Sequence, residues 1–256
     1  LLFDLFGRGY SDSVDLPHDS RLYTTQILLA LTSSPLPWTP AGFSIIGYSF
    51  GGGVAVDFTA AFPGLVKGLV LMAPGGLIRE HHFGWQSRLM FSGLVPAGIL
   101  EWVVRRRMGG QSAQQAVRKT GDEEMPTTAD EIKGNRDPQF ESAVIASDRP
   151  NVTIGCVVEW QLRNHEGFVR SFISSMRYGS IEGKQETWKK LGLRRDKVMI
   201  IVGSEDAVIN PVELREDAIE AIGEDNVDWK IVACGHEFPV AKAGEVLELI
   251  SCFWGL

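Results

Sequence analysis

Residues 43–76 constrain this chain more than any other stretch. Phe43 to Tyr48 is an apolar run of strand length, and it enters the turn Gly47-Tyr48-Ser49-Phe50-Gly51-Gly52-Gly53. Phe50 to Phe62 has helical texture and stops at Pro63-Gly64, and Val66 to Ala73 is apolar again before Pro74-Gly75-Gly76. Strand, helix, strand at this pitch predicts a βαβ unit, whose crossover makes the two strands parallel. Strands this uniformly apolar belong in a sheet covered on both faces.

A glycine turn between strand and helix serves one of two chemistries. A dinucleotide fingerprint needs G-x-G-x-x-G, but Ser49 replaces its second glycine; a phosphate loop needs Lys at the helix start, and none is there. The pattern G-x-S-x-G fits the other use, a serine lifted out of a tight, strained turn as a nucleophile. Small residues two positions either side, Gly47 and Gly51, suit such a turn. The following helix aims its positive end at the serine. The backbone N–H of Phe50 is placed to receive an oxyanion.

A serine hydroxyl needs a base. Of the five histidines, His18, His81, His82 and His165 lie in polar loops or beside helices, where surface or core-polar roles are expected. His236 instead follows the strand Val227 to Ala233 in Cys234-Gly235-His236-Glu237-Phe238-Pro239. Parallel strands present their C-terminal ends on one edge, which puts His236 on the serine's side of the sheet. Asp206 follows the strand Val198 to Val202 on that same edge, in Gly203-Ser204-Glu205-Asp206, and is the expected orienting carboxylate in preference to Glu205. The chain order Ser, Asp, His suits one class of triad and not the others.

Between these halves the texture changes. From Gly76 to about Ile181 the sequence predicts helices: an aromatic and Met-rich stretch over Phe83 to Leu94, then Ile99 to Met108, Gln139 to Ser147, Cys156 to Arg163 and Gly167 to Tyr178, with a polar loop at Thr120 to Pro138. Further helices are expected at Arg21 to Leu31, Pro211 to Ile222 and Val240 to Trp254, and a short strand at Leu1 to Phe6. The expected organisation is an α/β core from residues 1–75 and 182–256 with an all-helical cap at 76–181.

Together, Phe3-Asp4-Leu5-Phe6-Gly7-Arg8-Gly9-Tyr10-Ser11, the Gly47–Gly52 turn, Gly203-Ser204-Glu205-Asp206 with Pro211, and Gly235-His236 with Pro239 resemble the α/β-hydrolase fold superfamily. The resemblance implies a mostly parallel sheet flanked by helices, and a cap over the active site. Members with Asp at the nucleophile position are epoxide hydrolases or dehalogenases, which Ser49 argues against. The resemblance also implies a second oxyanion N–H from a loop upstream of the D-x-x-G-x-G-x-S stretch. That stretch opens this sequence, so the chain is expected to be N-terminally truncated, lacking its first strands, a central strand and the second oxyanion donor.

The remaining features narrow partners. A net charge of −7 over 256 residues disfavours a nucleic-acid groove or a polybasic membrane patch. No apolar run reaches the roughly 18 residues of a membrane span. Cys156, Cys234 and Cys252 have neither metal nor disulfide spacing and are expected to be buried free thiols. Asn151-Val152-Thr153 is read as a chance glycosylation match, and Arg105-Arg106-Arg107 as a solvated helix end. Apolar cap residues (Phe83, Trp85, Leu89, Met90, Phe91, Leu94, Ile99, Leu100, Trp102) favour an acyl or aryl group over a sugar or peptide. The expected activity is therefore a serine hydrolase cleaving carboxylic esters of apolar, small-to-medium substrates through an acyl-enzyme, with no metal or cofactor. Lipase, thioesterase, amidase and C–C hydrolase chemistry use the same triad, and a non-catalytic, hydrolase-like binding protein is the reading from another class.

Overall fold

The computed structural model describes residues 1–109 and 138–256. Four strands form a wholly parallel sheet in the order β1 (Phe43–Tyr48), β2 (Val66–Met72), β3 (Val198–Gly203), β4 (Val227–Val232). The registers pair Ile45 with Leu69, Leu69 with Val198, and Val198 with Val227. All six residues of β3 are buried, as its unbroken Val-Met-Ile-Ile-Val run requires of a central strand covered on both faces.

Helices supply that cover. Helix α1 (Ser20–Ser33) starts at Asp19, whose carboxylate accepts from the Arg21 and Leu22 N–H groups; α2 (Trp38–Ala41) is a single turn. Helix α3 (Phe50–Ala61) leaves β1 and packs eight consecutive residues, Gly52 to Thr59, into the interior. Between β2 and β3 lie α4 (Trp85–Phe91), α5 (Ala97–Gly109), α6 (Pro138–Ser142), α7 (Ile154–Asn164) and α8 (Phe168–Tyr178). Helices α5, α7 and α8 share a hydrophobic cluster of their own, Leu100, Val104, Leu162, Phe168, Val169 and Ile173, separate from the sheet's core. Helix α9 (Gln185–Lys189) brings Trp188 into the sheet's core with no exposure. Helix α10 (Pro211–Ile222) opens with proline after the Asn210 cap, and α11 (Phe238–Ala241) and α12 (Ala243–Trp254) close the chain.

Several local expectations change. Leu1 to Phe6 forms no strand. Its backbone is held by a side chain instead: Phe6 N–H donates to Gln26 Oε1 at 2.9 Å, and Gln26 Nε2 donates to the Asp4 carbonyl at 3.0 Å. The helix expected over Gln139 to Ser147 stops at Ser142, because the next residues pair across a turn: Ile145 N–H to the Val152 carbonyl and Ile154 N–H to that of Ala143. The closing helix is broken at Lys242. Cys156 and Cys252 are exposed rather than buried, since each lies on the outward face of its helix, and Cys234 is half-buried. The loop expected at Thr120 to Pro138 lies outside the described residues except for Pro138, which opens α6.

Candidate active site

The turn after β1 is strained in the way its sequence implies. Ser49 has φ 52° and ψ −121°, a conformation that costs a non-glycine residue about 1–3 kcal/mol. The surroundings hold it there. Ser49 N–H donates to the Met72 carbonyl at 2.8 Å, and the Ser49 carbonyl accepts from Gly52, Gly53 and Gly75 at 2.9, 3.3 and 3.0 Å. Gly47 is necessary to this fold: a Cβ there would lie 2.6 Å from the Gly51 carbonyl oxygen and 2.8 Å from the Ala55 Cβ. Gly51 is not crowded in the same way, because a Cβ at that position would face open space. The other tight positions are Gly52, where a Cβ would stand 2.7 Å from the Pro74 Cβ, and Gly53, where it would stand 2.2 Å from the Ser180 carbonyl oxygen. The spacing alone assigned that role to Gly51.

Three strand ends meet at this turn. Ser49 follows β1, Asp206 follows β3 and His236 follows β4. His236 Nε2 lies 3.0 Å from Ser49 Oγ, and His236 Nδ1 lies 2.8 Å from Asp206 Oδ2. The Asp206 side chain is fully buried and that of His236 is 5% exposed. Asp206 Oδ1 accepts from the backbone N–H groups of Val208 and Ile209 at 2.9 and 2.8 Å. Those bonds fix the carboxylate's rotation and leave Oδ2 for the imidazole. Glu205, the neighbouring carboxylate, is exposed. Phe50 is the first residue of α3, where an N–H has no acceptor within its own helix.

The other histidines lie elsewhere. His18 is buried; His81 and His82 face Glu213 on α10; His165 Nε2 bonds the Ser11 carbonyl at 2.9 Å. Two neighbours of the imidazole were not readable from the sequence. Tyr48 donates its hydroxyl to the His236 carbonyl at 2.8 Å and stacks its ring 5.1 Å from the imidazole. Phe140 of α6 places its ring 5.7 Å from His236 on the other segment. Neither contact has a local signal, because the partners are 188 and 96 positions apart in the chain.

Arg8 of the Gly7-Arg8-Gly9 turn has its contacts away from Ser49, Asp206 and His236. It donates to the Gly7 carbonyl at 3.1 Å and to Ser171 Oγ and Ser175 Oγ, and lies over the Phe168 ring, pinning that turn to α8. Its burial lowers the guanidinium's pKa. Arg105 donates to the Leu162 carbonyl at 2.6 Å, and Arg106 lies over Trp102. Of the apolar residues at 83–102, Phe83 and Leu100 are buried while Trp85, Leu89, Leu94, Ile99 and Trp102 face solvent. A cleft of about 1250 Å³ between the 9–18 loop and helices α5, α7 and α8 is lined by none of Ser49, Asp206 and His236.

Comparison with known proteins agrees with this architecture. The model of the alpha/beta hydrolase family matches residues 1–249. No curated protein matches the sequence. Among solved structures, MGS-M2, an alpha/beta hydrolase enzyme from a Medee basin deep-sea metagenome library, superposes with a TM-score of 0.65 at 17% identity, covering 99% of this chain and 78% of that one. The esterase RhEst1 from Rhodococcus sp. ECU1013 gives 0.57 at 20% identity, covering 99% and 79%. The 2-hydroxy-6-oxo-6-phenylhexa-2,4-dienoate hydrolase of Rhodococcus sp. strain RHA1 gives 0.59 at 16% identity, covering 99% and 78%. At such identities the superpositions speak for the fold. With the family model spanning nearly every residue, and a strained serine turn on a parallel sheet, the chain belongs to the alpha/beta hydrolase family.

Proposed function

We propose that this hydrolase cleaves carboxylic esters of apolar, small-to-medium substrates with Ser49 as nucleophile, His236 as general base and acid, and Asp206 as the group that orients and compensates the imidazole. The observation that carries the reading is the continuous relay from Ser49 Oγ through the two ring nitrogens of His236 to Asp206 Oδ2, at 3.0 and 2.8 Å. In the first half-reaction Ser49 Oγ attacks the ester carbonyl carbon while its proton passes to His236 Nε2. The carbonyl oxygen becomes an oxyanion that accepts from the Phe50 N–H. The carbon–oxygen bond to the alcohol then breaks, and His236 returns the proton to the departing oxygen. Water attacks the acyl-serine by the same route, giving the acid and free Ser49. Asp206 stays ionised throughout and holds Nδ1–H, so that Nε2 presents its lone pair to the serine.

The preference for an apolar substrate rests on the Phe140 ring beside the imidazole; we assign the 76–181 segment, to which Phe140 belongs, as a cap over the site. None of the proposed steps uses a metal or cofactor. The test is a fluorophosphonate probe on the purified protein, read by intact mass. Wild type is expected to gain one adduct, on Ser49, and Ser49→Ala none. An unlabelled wild type, or a Ser49→Ala variant labelled equally well, ends this reading.

A further inference from the structure

A second cluster of chemically able side chains lies away from the serine relay. The short 3-10 turn Glu80–His82, which leads from the sheet toward α4, faces the first turn of α10. His81 Nε2 stands 3.4 Å from Glu213 Oε1, and His82 Nε2 stands 2.7 Å from Glu213 Oε2. The imidazoles lie close, with ring centroids 4.2 Å apart. One ligand atom from each of the three residues falls within 4.8 Å of the other two. Four-coordinate zinc, with bonds of about 2.0–2.1 Å, sets its donors about 3.3 Å apart, so these three need little movement to enclose one ion. Two imidazoles and a carboxylate are also a donor set that suits zinc-class ions over calcium or magnesium.

The surroundings fit a dication. Arg79 binds Asp217 at 2.8 and 3.0 Å and Glu216 at 2.8 Å, and reaches Glu213 only at 3.8 Å. Arg79 is thus shared among three carboxylates, and Glu213, the one it reaches least closely, is the one that meets the imidazoles. His82 and Glu213 are only about one-fifth exposed and border a cavity of about 10 Å³, which Ile209 and Asn210 also line.

We propose that His81, His82 and Glu213 bind one zinc-class divalent ion that clasps the 80–82 turn to α10. The clasp is structural: α10 is capped by Asn210, next to the Ile209 whose N–H holds Asp206. The ion therefore anchors the helix that follows the acid's loop without entering the chemistry.

Tag-free protein is stripped with a chelator and titrated with zinc sulfate against a fluorescent zinc indicator, with thermal unfolding followed in parallel. Wild type is expected to bind one zinc per chain and to melt at a higher temperature with zinc than without. The double variant His81→Ala/His82→Ala, checked for native circular dichroism, is expected to lose at least about tenfold in affinity and to show no zinc-dependent shift. Glu213→Gln, which keeps the side chain's shape, is expected to weaken binding likewise. Absence of stoichiometric binding by wild type, or unchanged affinity in either variant, overturns the proposal and leaves the cluster as an ion-pair contact only.

Discussion

At the scale of the residue, the carboxylate of Asp206 carries a built-in asymmetry. Its Oδ1 is taken by the Val208 and Ile209 N–H groups and its Oδ2 by His236 Nδ1. In Asp206→Asn the remaining oxygen is held by the two backbone donors, so the amide nitrogen faces Nδ1. That donor selects the tautomer with its proton on Nε2, which disarms the base. Asp206→Asn is therefore expected to fold normally and to lower kcat on a short-chain ester by about three to four orders of magnitude, as initial rates will show. Cys234 is the other residue with a distinct chemistry. Burial, reinforced by its bond to Glu237 Oε1 at 3.2 Å, pushes its thiol pKa up to about 11. A raised pKa favours the protonated thiol, so its contribution to stability is complete below the ordinary thiol range and is lost as pH rises towards 11. At pH 8 iodoacetamide should modify the exposed Cys156 and Cys252 while Cys234 lags. Peptide mass spectra should show Cys234 alkylation accelerating through pH 9 and 10.

At the scale of the element, α3 is fastened at its buried face as well as at Ser49. Asp57 accepts from Ser180 Oγ and lies 3.5 Å from Lys184 Nζ, which in turn donates to Ser20 Oγ at 2.7 Å. The network joins α3, the start of α1 and the segment returning from α8. Asp57→Asn keeps the shape but removes the charge facing a half-buried lysine. It is expected to cost about 1.5–3 kcal/mol in urea unfolding, with part regained in Asp57→Asn/Lys184→Met. Elements of this kind were legible to the extent that their own residues decide them. Strands β2 and β3 announce themselves as short apolar runs between turn residues, and α10 by its proline start. Leu1 to Phe6 reads equally well as a strand, yet a strand exists only with a partner, and here the Gln26 side chain takes its backbone groups. Residues 143–147 likewise look helical but spend their hydrogen bonds on 152–154.

At the scale of the whole molecule, the sheet explains both what could be read and what could not. Ser49, Asp206 and His236 were legible because parallel strands deliver their C-terminal ends to one edge, so the position of each residue just past an apolar run was enough. Tyr48 and Phe140 were not, because their value lies in contacts made across the fold. The metal-ligating set was hidden for the same reason: His81-His82 is an unremarkable pair until α10 brings Glu213 to it. The sheet's registers carry one more consequence. Phe43 meets Val66 across 23 positions, whereas Leu69 meets Val198 across 129, and closing the longer span costs about 1.5 kcal/mol more in chain entropy. The serine turn thus belongs to a unit closed over a short span, and His236, the proposed base, to a distant one. During synthesis Ser49 leaves the ribosome 187 residues ahead of His236, an interval of roughly 10–40 s at ordinary elongation rates. On the proposed mechanism, the serine has no imidazole to take its proton throughout that time, and the nascent chain is expected to stay unreactive until β4 and the His236 loop are in place.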